Sequence, residues 1–275
     1  MNKMVIALML VSLAVLARPQ AWAGEPTGTS AGTDKISIPI KIEPKELRTY
    51  DVRVKMTGKM PGEDKQPVDI DANYSMTIQH QYGRVEPDGL LPLEISASKA
   101  EATIAGQKLT LLGADFPKIT LLLDTSYNIV NAFGLPDAKS GNQMLGLNYG
   151  NLIALFFIPD SRQPHAIGES WKAKVRLPGL KDPVDVVTTL KSANEQDGVK
   201  TATVHQVWGW YEQKTQDSSS VYNQFTVDST FALDTGRLLK SHADTMVYTK
   251  NPAVYKQDQQ PYTVNTKIDI MPAAK

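Results

Sequence analysis

Hydrophobic residues recur at every second position along much of this chain. In Tyr50-Asp51-Val52-Arg53-Val54-Lys55-Met56-Thr57 each apolar side chain is followed by a polar or charged one. From Val68 to Ile78 the rhythm sets Val68, Ile70, Ala72, Tyr74, Met76 and Ile78 on one side, with Asp69, Asp71, Asn73, Ser75, Thr77 and Gln79 on the other. Successive side chains of a strand point to opposite faces. The pattern therefore predicts long antiparallel strands, one face on a core and the other in water. Leu91 to Ala97, Trp171 to Leu177, Phe225 to Leu233 and Tyr262 to Ile270 repeat it.

One segment departs from that period. Between Gln143 and Phe157, Leu145, Tyr149, Leu152 and Phe156 fall at intervals of four, three and four, the spacing of one helical face. Met144, Ile153 and Leu155 widen the stripe and Pro159 ends it, so a helix is expected over 143–157, at the midpoint of the folded chain. A helix this apolar must pack on the sheets or act as a lid over a groove. Gly146 and Gly150 each weaken it by nearly ~1 kcal/mol relative to alanine, which leans toward a mobile lid. Leu145, Tyr149, Leu152 and Phe156 are accordingly the candidate ligand-binding residues.

The halves on either side of the helix echo each other. Residues 50–58 match Trp171-Lys172-Ala173-Lys174-Val175-Arg176-Leu177-Pro178-Gly179 at an offset of 121, and Pro67-Val68-Asp69-Ile70 matches Pro183-Val184-Asp185-Val186 at 116. Asp88-Gly89 matches Asp197-Gly198, and Leu123-Asp124-Thr125 matches Leu233-Asp234-Thr235, at offsets of 109 and 110. Conserved order with drifting offsets is what loop insertions in a duplicated unit of four or five strands produce. Shared strand rhythm alone is the competing account. The expected fold is mainly β: two similar curled antiparallel sheets, related by internal duplication, with one apolar helix at the midpoint.

The N-terminus follows a different logic. Lys3 precedes an uncharged run from Met4 to Ala17, Arg18-Pro19 stop it, and Ala21-Trp22-Ala23 places small residues where a signal peptidase reads. A run of 14 residues is short of the ~20 that cross a bilayer as a helix, and no second apolar stretch of that length follows. Residues 1–23 are expected to be a cleaved signal peptide, with no transmembrane anchor and a periplasmic or secreted destination. Residues 24–35, rich in Gly, Thr, Ser and Ala, read as a disordered leader. A first β unit is expected over 36–140, the helix and linker over 141–160, and a second β unit over 161–275.

Composition narrows the chemistry. There is no cysteine, so neither disulfides nor a lipid-modified cysteine contributes, and stability must come from a packed core. The chain carries 29 basic and 29 acidic residues, and loss of Lys3 and Arg18 with the signal peptide leaves it near −2. Without a basic stripe, nucleic acid is not an expected partner. His80, His165, His205 and His242 are scattered, and Asp69 with Asp71 supplies too few oxygens for a hard cation, so no metal site is expected. No nucleophile elbow, phosphate loop or dinucleotide fingerprint occurs, and no cofactor is expected. Trp208-Gly209-Trp210-Tyr211 reads as core at a strand end with the glycine making a bulge, and alternatively as an aromatic binding platform.

Two resemblances remain. Leu123-Asp124-Thr125-Ser126 and Leu233-Asp234-Thr235-Gly236 resemble the Asp-Thr-Gly/Ser signature of aspartic peptidases, which implies Asp124 and Asp234 as a proton-sharing dyad. Phe231-Ala232-Leu233, a polar turn with glycine, then Leu238-Leu239 also reads as a plain β-hairpin, and the second half lacks the family's supporting element. At the midpoint, Phe156-Phe157-Ile158-Pro159 followed by Pro164-His165-Ala166-Ile167-Gly168-Glu169-Ser170-Trp171 resembles uncharacterised bacterial secreted β-rich families with a Gly-Glu-Ser-Trp motif. At fold level the pattern is similar to periplasmic lipoprotein carriers, in which a curled sheet closes over a helix and shelters acyl chains. The resulting expectation is an exported non-catalytic binding or carrier protein with an apolar groove for lipid or hydrophobic polypeptide. A structural or interaction module of the envelope is the second reading, and an aspartic-type peptidase using Asp124 and Asp234 the third.

Overall fold

The computed structural model describes residues 35–61, 67–111, 116–135, 149–177, 180, 182–196, 198–214, 219–250 and 262–274. The expected signal peptide, most of the leader, and Leu145 with the first part of the expected helix lie outside them.

The strands in chain order are β1 (Leu47–Pro61), β2 (Pro67–Tyr82), β3 (Leu91–Ile104), β4 (Gln107–Leu111), β5 (Ile119–Leu123) and β6 (Ile129–Phe133). A short helix, α1 (Tyr149–Ala154), precedes β7 (Ser170–Val175), β8 (Val184–Gln196), β9 (Val199–Lys214), β10 (Ser219–Ala232), β11 (Leu238–Lys250) and β12 (Tyr262–Pro272). The six alternating runs read from sequence fall within or across β1, β2, β3, β7, β10 and β12: Val52, Val54 and Met56 of β1 are buried, as are Ala72, Tyr74, Met76 and Ile78 of β2, while Val68 at the start of β2 is exposed.

The expectation of two sheets is corrected. All strands belong to one 12-stranded antiparallel sheet, ordered β6-β5-β3-β2-β1-β12-β11-β10-β9-β8-β7, with β4 beside β3. It is nearly closed into a barrel. The reason lies at β1 and β12, which would be bare edges of two separate sheets, open to unwanted pairing. Instead they pair with each other from Tyr50↔Pro272 to Gly58↔Val264, in a register that sets Val52 beside Ile270 and Val54 beside Ile268 on the same inner face. Gly58 is required there, because a Cβ would overlap the Thr263 backbone. One hydrophobic core runs through both halves. The segments matched as repeats fall at unlike stations, β1 in mid-sheet and β7 at the end of the path.

Curvature has identifiable sources. Register shifts interrupt the β2–β3, β8–β9 and β10–β11 pairs, at Thr77/Ile78, Leu190/Ser192 and Thr230/Phe231. Each leaves an extra residue in one strand, which bends it and tightens the local twist. In β3 the extra residue falls at Ser98-Lys99, where the alternation of the sequence also breaks.

The helix ends sooner than its periodicity implied. It ends at Ala154, and Leu155, Phe156 and Phe157 donate to the carbonyls three residues back, from Leu152, Ile153 and Ala154. That is a tightening turn rather than continued α-helix, and it brings the chain to Pro159.

Candidate functional site

β6 and β7 are the two ends of the sheet path, and among the described residues no strand pairs across the gap between them. The segment from α1 to Pro159 occupies that seam. Tyr127, Asn128 and Ile129 from the β5–β6 side and Val175 and Leu177 from the β7 side line one cavity of about 30 Å³ together with Ala154, Phe157, Ile158 and Pro159. A neighbouring cavity of about 20 Å³ is bounded by Tyr127, Phe156 and Phe157 with Tyr50, His80 and Tyr82. An apolar segment thus plugs a barrel that its strands leave unclosed.

The candidate residues can be placed individually. Tyr149, Leu152 and Phe156 are buried members of the core, and Leu145 lies outside the described residues. Tyr149 meets the Phe116 ring edge-on at 4.9 Å, while Phe156 packs on Tyr50 at 5.1 Å and on His80 at 4.5 Å. Leu152 is 1% exposed. The segment is therefore seated as core in this structure rather than raised as an open lid.

The midpoint motif explains how the plug is held. Trp171 donates its indole N–H to the Pro159 carbonyl at 3.1 Å and stacks on His165 at 3.7 Å. Glu169 accepts from the Ala166 amide at 2.8 Å and faces His165 Nδ1 at 3.2 Å. The Ala166 amide, then His165, hold its carboxyl below the usual carboxylate range. The Gly168 amide donates to the Leu190 carbonyl of β8, and the Leu190 amide donates back to the Glu169 carbonyl. The Gly-Glu-Ser-Trp run thus clamps the end of the plug to edge strand β7. From outside, residues 36–41 lie over this loop: Ile36 pairs with His165, Ile38 donates to Ser161, and Lys41 donates to Thr235.

Asp124 and Asp234 do not form a dyad. Asp124 closes its own turn, with Oδ1 accepting from the Ser126 and Asn128 amides and Oδ2 from the Asn128 side chain. Asp234 is exposed in the β10–β11 turn and accepts from Thr235. Gly236 there has positive φ, and a Cβ would overlap the Pro39 carbonyl, so the glycine serves the overlying N-terminal segment. Both motifs are turn chemistry, as the hairpin reading held.

The aromatic cluster is core without a bulge. Trp208 is buried and stacks on Phe225 at 5.1 Å, with Trp210 beside the same ring at 5.5 Å. The register runs unbroken through Gly209, opposite Gln224. A Cβ at Gly209 would crowd the Asn223 carbonyl, so the glycine permits close approach of β10.

Sequence reasoning missed the polar atoms of the inner face. Thr188 Oγ1, Gln206 Oε1 and the indole nitrogens of Trp208 and Trp210 are buried without hydrogen-bond partners. Thr188 and Gln206 face each other across β8–β9, and Gln206 and Trp208 both line the 30 Å³ cavity. An unpaired buried polar atom costs about 1–3 kcal/mol. The signal was available: along β9 the inward series Ala202, Val204, Gln206, Trp208 is broken by one amide. A second polar group sits behind Phe156. Burial, with the positive charge of Arg48 nearby, pushes the His80 imidazole down to about 3. Arg48 is itself buried, paired with Glu46 at 2.8 Å and lying over the Tyr82 ring at 5.3 Å.

The outer face is a solvated sheet surface. Asp228 pairs with His205 at 2.8 Å and Asp269 with His242 at 2.7 Å along one cross-strand row. Asp69, read as half of a possible cation pair, instead meets the exposed Lys59.

No protein-family model matches the chain, and no curated protein matches it. Among solved structures it is similar to lipovitellin, in a structure concerned with lipid–protein interactions, at a TM-score of 0.51 and 7% identity over 84% of this chain. The match covers 25% of the lipovitellin chain, so this protein spans about a quarter of that length. DynF of the dynemicin biosynthesis pathway of Micromonospora chersina matches at a TM-score of 0.22 and 10% identity, over 94% of both chains. The ywiB protein of Bacillus subtilis matches at a TM-score of 0.15 and 10% identity, over 83% of this chain and 94% of its own. Only the first likeness bears on the fold, and at that identity it concerns the fold alone.

Proposed function

We propose that this is an exported, non-catalytic carrier whose barrel interior receives an apolar ligand, a lipid acyl chain before a hydrophobic polypeptide, when the 149–159 segment leaves the seam. The observation that carries the reading is the plug itself. A nearly closed sheet leaves its inner face covered at the seam by a short apolar segment instead of by a strand, and strand-to-strand closure would be the more stable way to finish a barrel that holds nothing. A short helical segment that covers a sheet without pairing to it as a strand is the kind of element drawn from the low-stability part of a fold. The fold likeness to lipovitellin, a protein described by its lipid interactions, supports the same reading.

The N-terminal charge pattern and the Ala21-Trp22-Ala23 site support export, with Gly24 as the mature first residue. N-terminal sequencing of protein recovered outside the cytoplasm tests that, and a start at Met1 refutes it. Native mass spectrometry of protein purified from its own host tests the carrier role. A bound species of lipid mass is expected, and a clean apo mass across detergent-free preparations counts against it. The small size of the seam cavities, about 30 and 20 Å³, favours the second reading, an envelope interaction module whose plug never leaves.

A further inference from the structure

The seam cavity has a chemistry of its own. Its apolar lining includes Phe157, Ile158 and Val186, Tyr127 and Asn128 line it from the β5–β6 turn, and Gln206 and Trp208 line it from adjacent inward positions of β9. Gln206 is 2% exposed and Trp208 4%, and neither Gln206 Oε1 nor Trp208 Nε1 has a partner. Thr188 Oγ1, fully buried, lies beside Gln206 in register and is also unpartnered. Trp208 is fixed by its parallel stack on Phe225, so its N–H points in one direction. An indole only donates, whereas a carboxamide both donates and accepts. The lining holds no Lys, Arg, His, Asp or Glu.

We propose that this cavity is the head-group subsite of the carrier, and that it selects an acyl chain ending in an uncharged amide. The inference rests on the carrier reading above. An amide carbonyl accepts from Trp208 while its N–H donates to Gln206, so one group satisfies both atoms. An ester accepts but cannot donate, leaving the Gln206 oxygen unpaired. A carboxylate would be buried with no countercharge, the least favourable case. Once the plug leaves, the β9 wall that carries Gln206 and Trp208 receives the head group, and the acyl tail takes the place of Phe156, Phe157 and Ile158.

The test is competition against a neutral fluorescent polyene, diphenylhexatriene, by dodecanamide, methyl dodecanoate and dodecanoate. It uses the exported full chain and its Q206L and W208F variants. Dodecanamide is expected to compete about tenfold better than the ester, one net hydrogen bond's worth, with dodecanoate weakest. In Q206L that preference falls below about twofold, in a variant that still melts cooperatively, because the acceptor for the amide N–H is gone. W208F, which deletes the indole donor and keeps a ring, weakens amide and ester together. Equal competition by amide and ester in the wild type, or an amide preference that survives Q206L, overturns the subsite and leaves the carrier reading standing. Failure of the wild type to take up the polyene at all removes both.

Discussion

The two halves of the sheet present different inner faces. From β1 to β6 the inward side is a wall of Val52, Val54, Leu93, Ile95, Ile119, Leu121 and Leu123, and its polar members, Arg48 and His80, gather at one end near Phe156. From β8 to β12 the inward side also buries Thr188, Gln206, Asn223, Ser229, Ser241, Thr245 and Thr266. Ser229 and Ser241 satisfy each other at 2.9 Å, while Thr188 and Gln206 are left unpaired. A face built only for packing would gain nothing from such residues, since each buried polar atom must be hydrogen-bonded to avoid a cost. The first half is the wall against which the plug packs. The second carries the polar groups that a ligand could satisfy.

The sharpest break of that comparison pits wall against plug. Leu121→Ala should cost about 2–5 kcal/mol as a cavity in a rigid sheet face. Leu152→Ala, in the plug, should lower the melting temperature less. It should also raise the apparent affinity for the neutral probe diphenylhexatriene, because destabilising the plugged state increases the population able to bind. Equal thermal losses, with no uptake by the wild type, would return the plug to permanent core and favour the interaction module.

Acid should act next, through the polar end of the first half. The His80 pKa is depressed to about 3, so below the unfolded value near 6.5 the unfolded chain takes a proton that the native state refuses. Stability is then lost as pH falls from about 6.5 toward 3, by about 2 kcal/mol at pH 5. His242 works in the opposite sense. Its pKa is raised, first by the Asp269 hydrogen bond, so its stabilisation is present below the unfolded pKa and fades as pH rises through the folded one. That group is partly exposed and solvent screens it, so the His80 loss dominates. Denaturant melts of the wild type and His80→Leu at pH 7 and pH 5 measure this. An acid loss undiminished in His80→Leu would assign it elsewhere.

A smaller effect is expected where the N-terminal segment crosses the second half. Gly236→Ala puts a Cβ against the Pro39 carbonyl at positive φ and should cost more than about 1 kcal/mol. It should also speed proteolysis near residues 36–41, and unchanged cleavage there would mean that the crossing is not held by this contact. Smallest is the contrast between the two matched turns. Asp124→Ala loses the bonds to Ser126 and Asn128 and should cost about 1 kcal/mol, whereas Asp234→Ala, exposed, should stay within about 0.5 kcal/mol. Comparable losses at both would contradict the distinct roles given to these turns.

Much of this was legible in the chain. Period-two alternation marked β1, β2 and β12 and the face each buries, since a strand's side-chain direction is a local property of its backbone. The hairpin reading of Asp234-Thr235-Gly236 likewise needed only local turn chemistry. The short β5 escaped because Leu121-Leu122-Leu123 shows no alternation, and the helix was drawn too long because apolar spacing continues through Phe156 after the α-helical hydrogen bonds have ended. What tertiary structure alone decided was that β1 and β12 meet. Residues more than two hundred positions apart pair in the register Val52↔Ile270, and that contact merges two expected sheets into one. It also leaves β6 and β7 as the ends of the sheet path, makes the apolar midpoint segment a plug, and sets Gln206 and Trp208 in the lining of the seam cavity. Periodicity specifies which face of each strand is buried. It carries no information about which distant strand lies alongside, because pairing between remote edges depends on hydrogen bonds that any two extended segments can make.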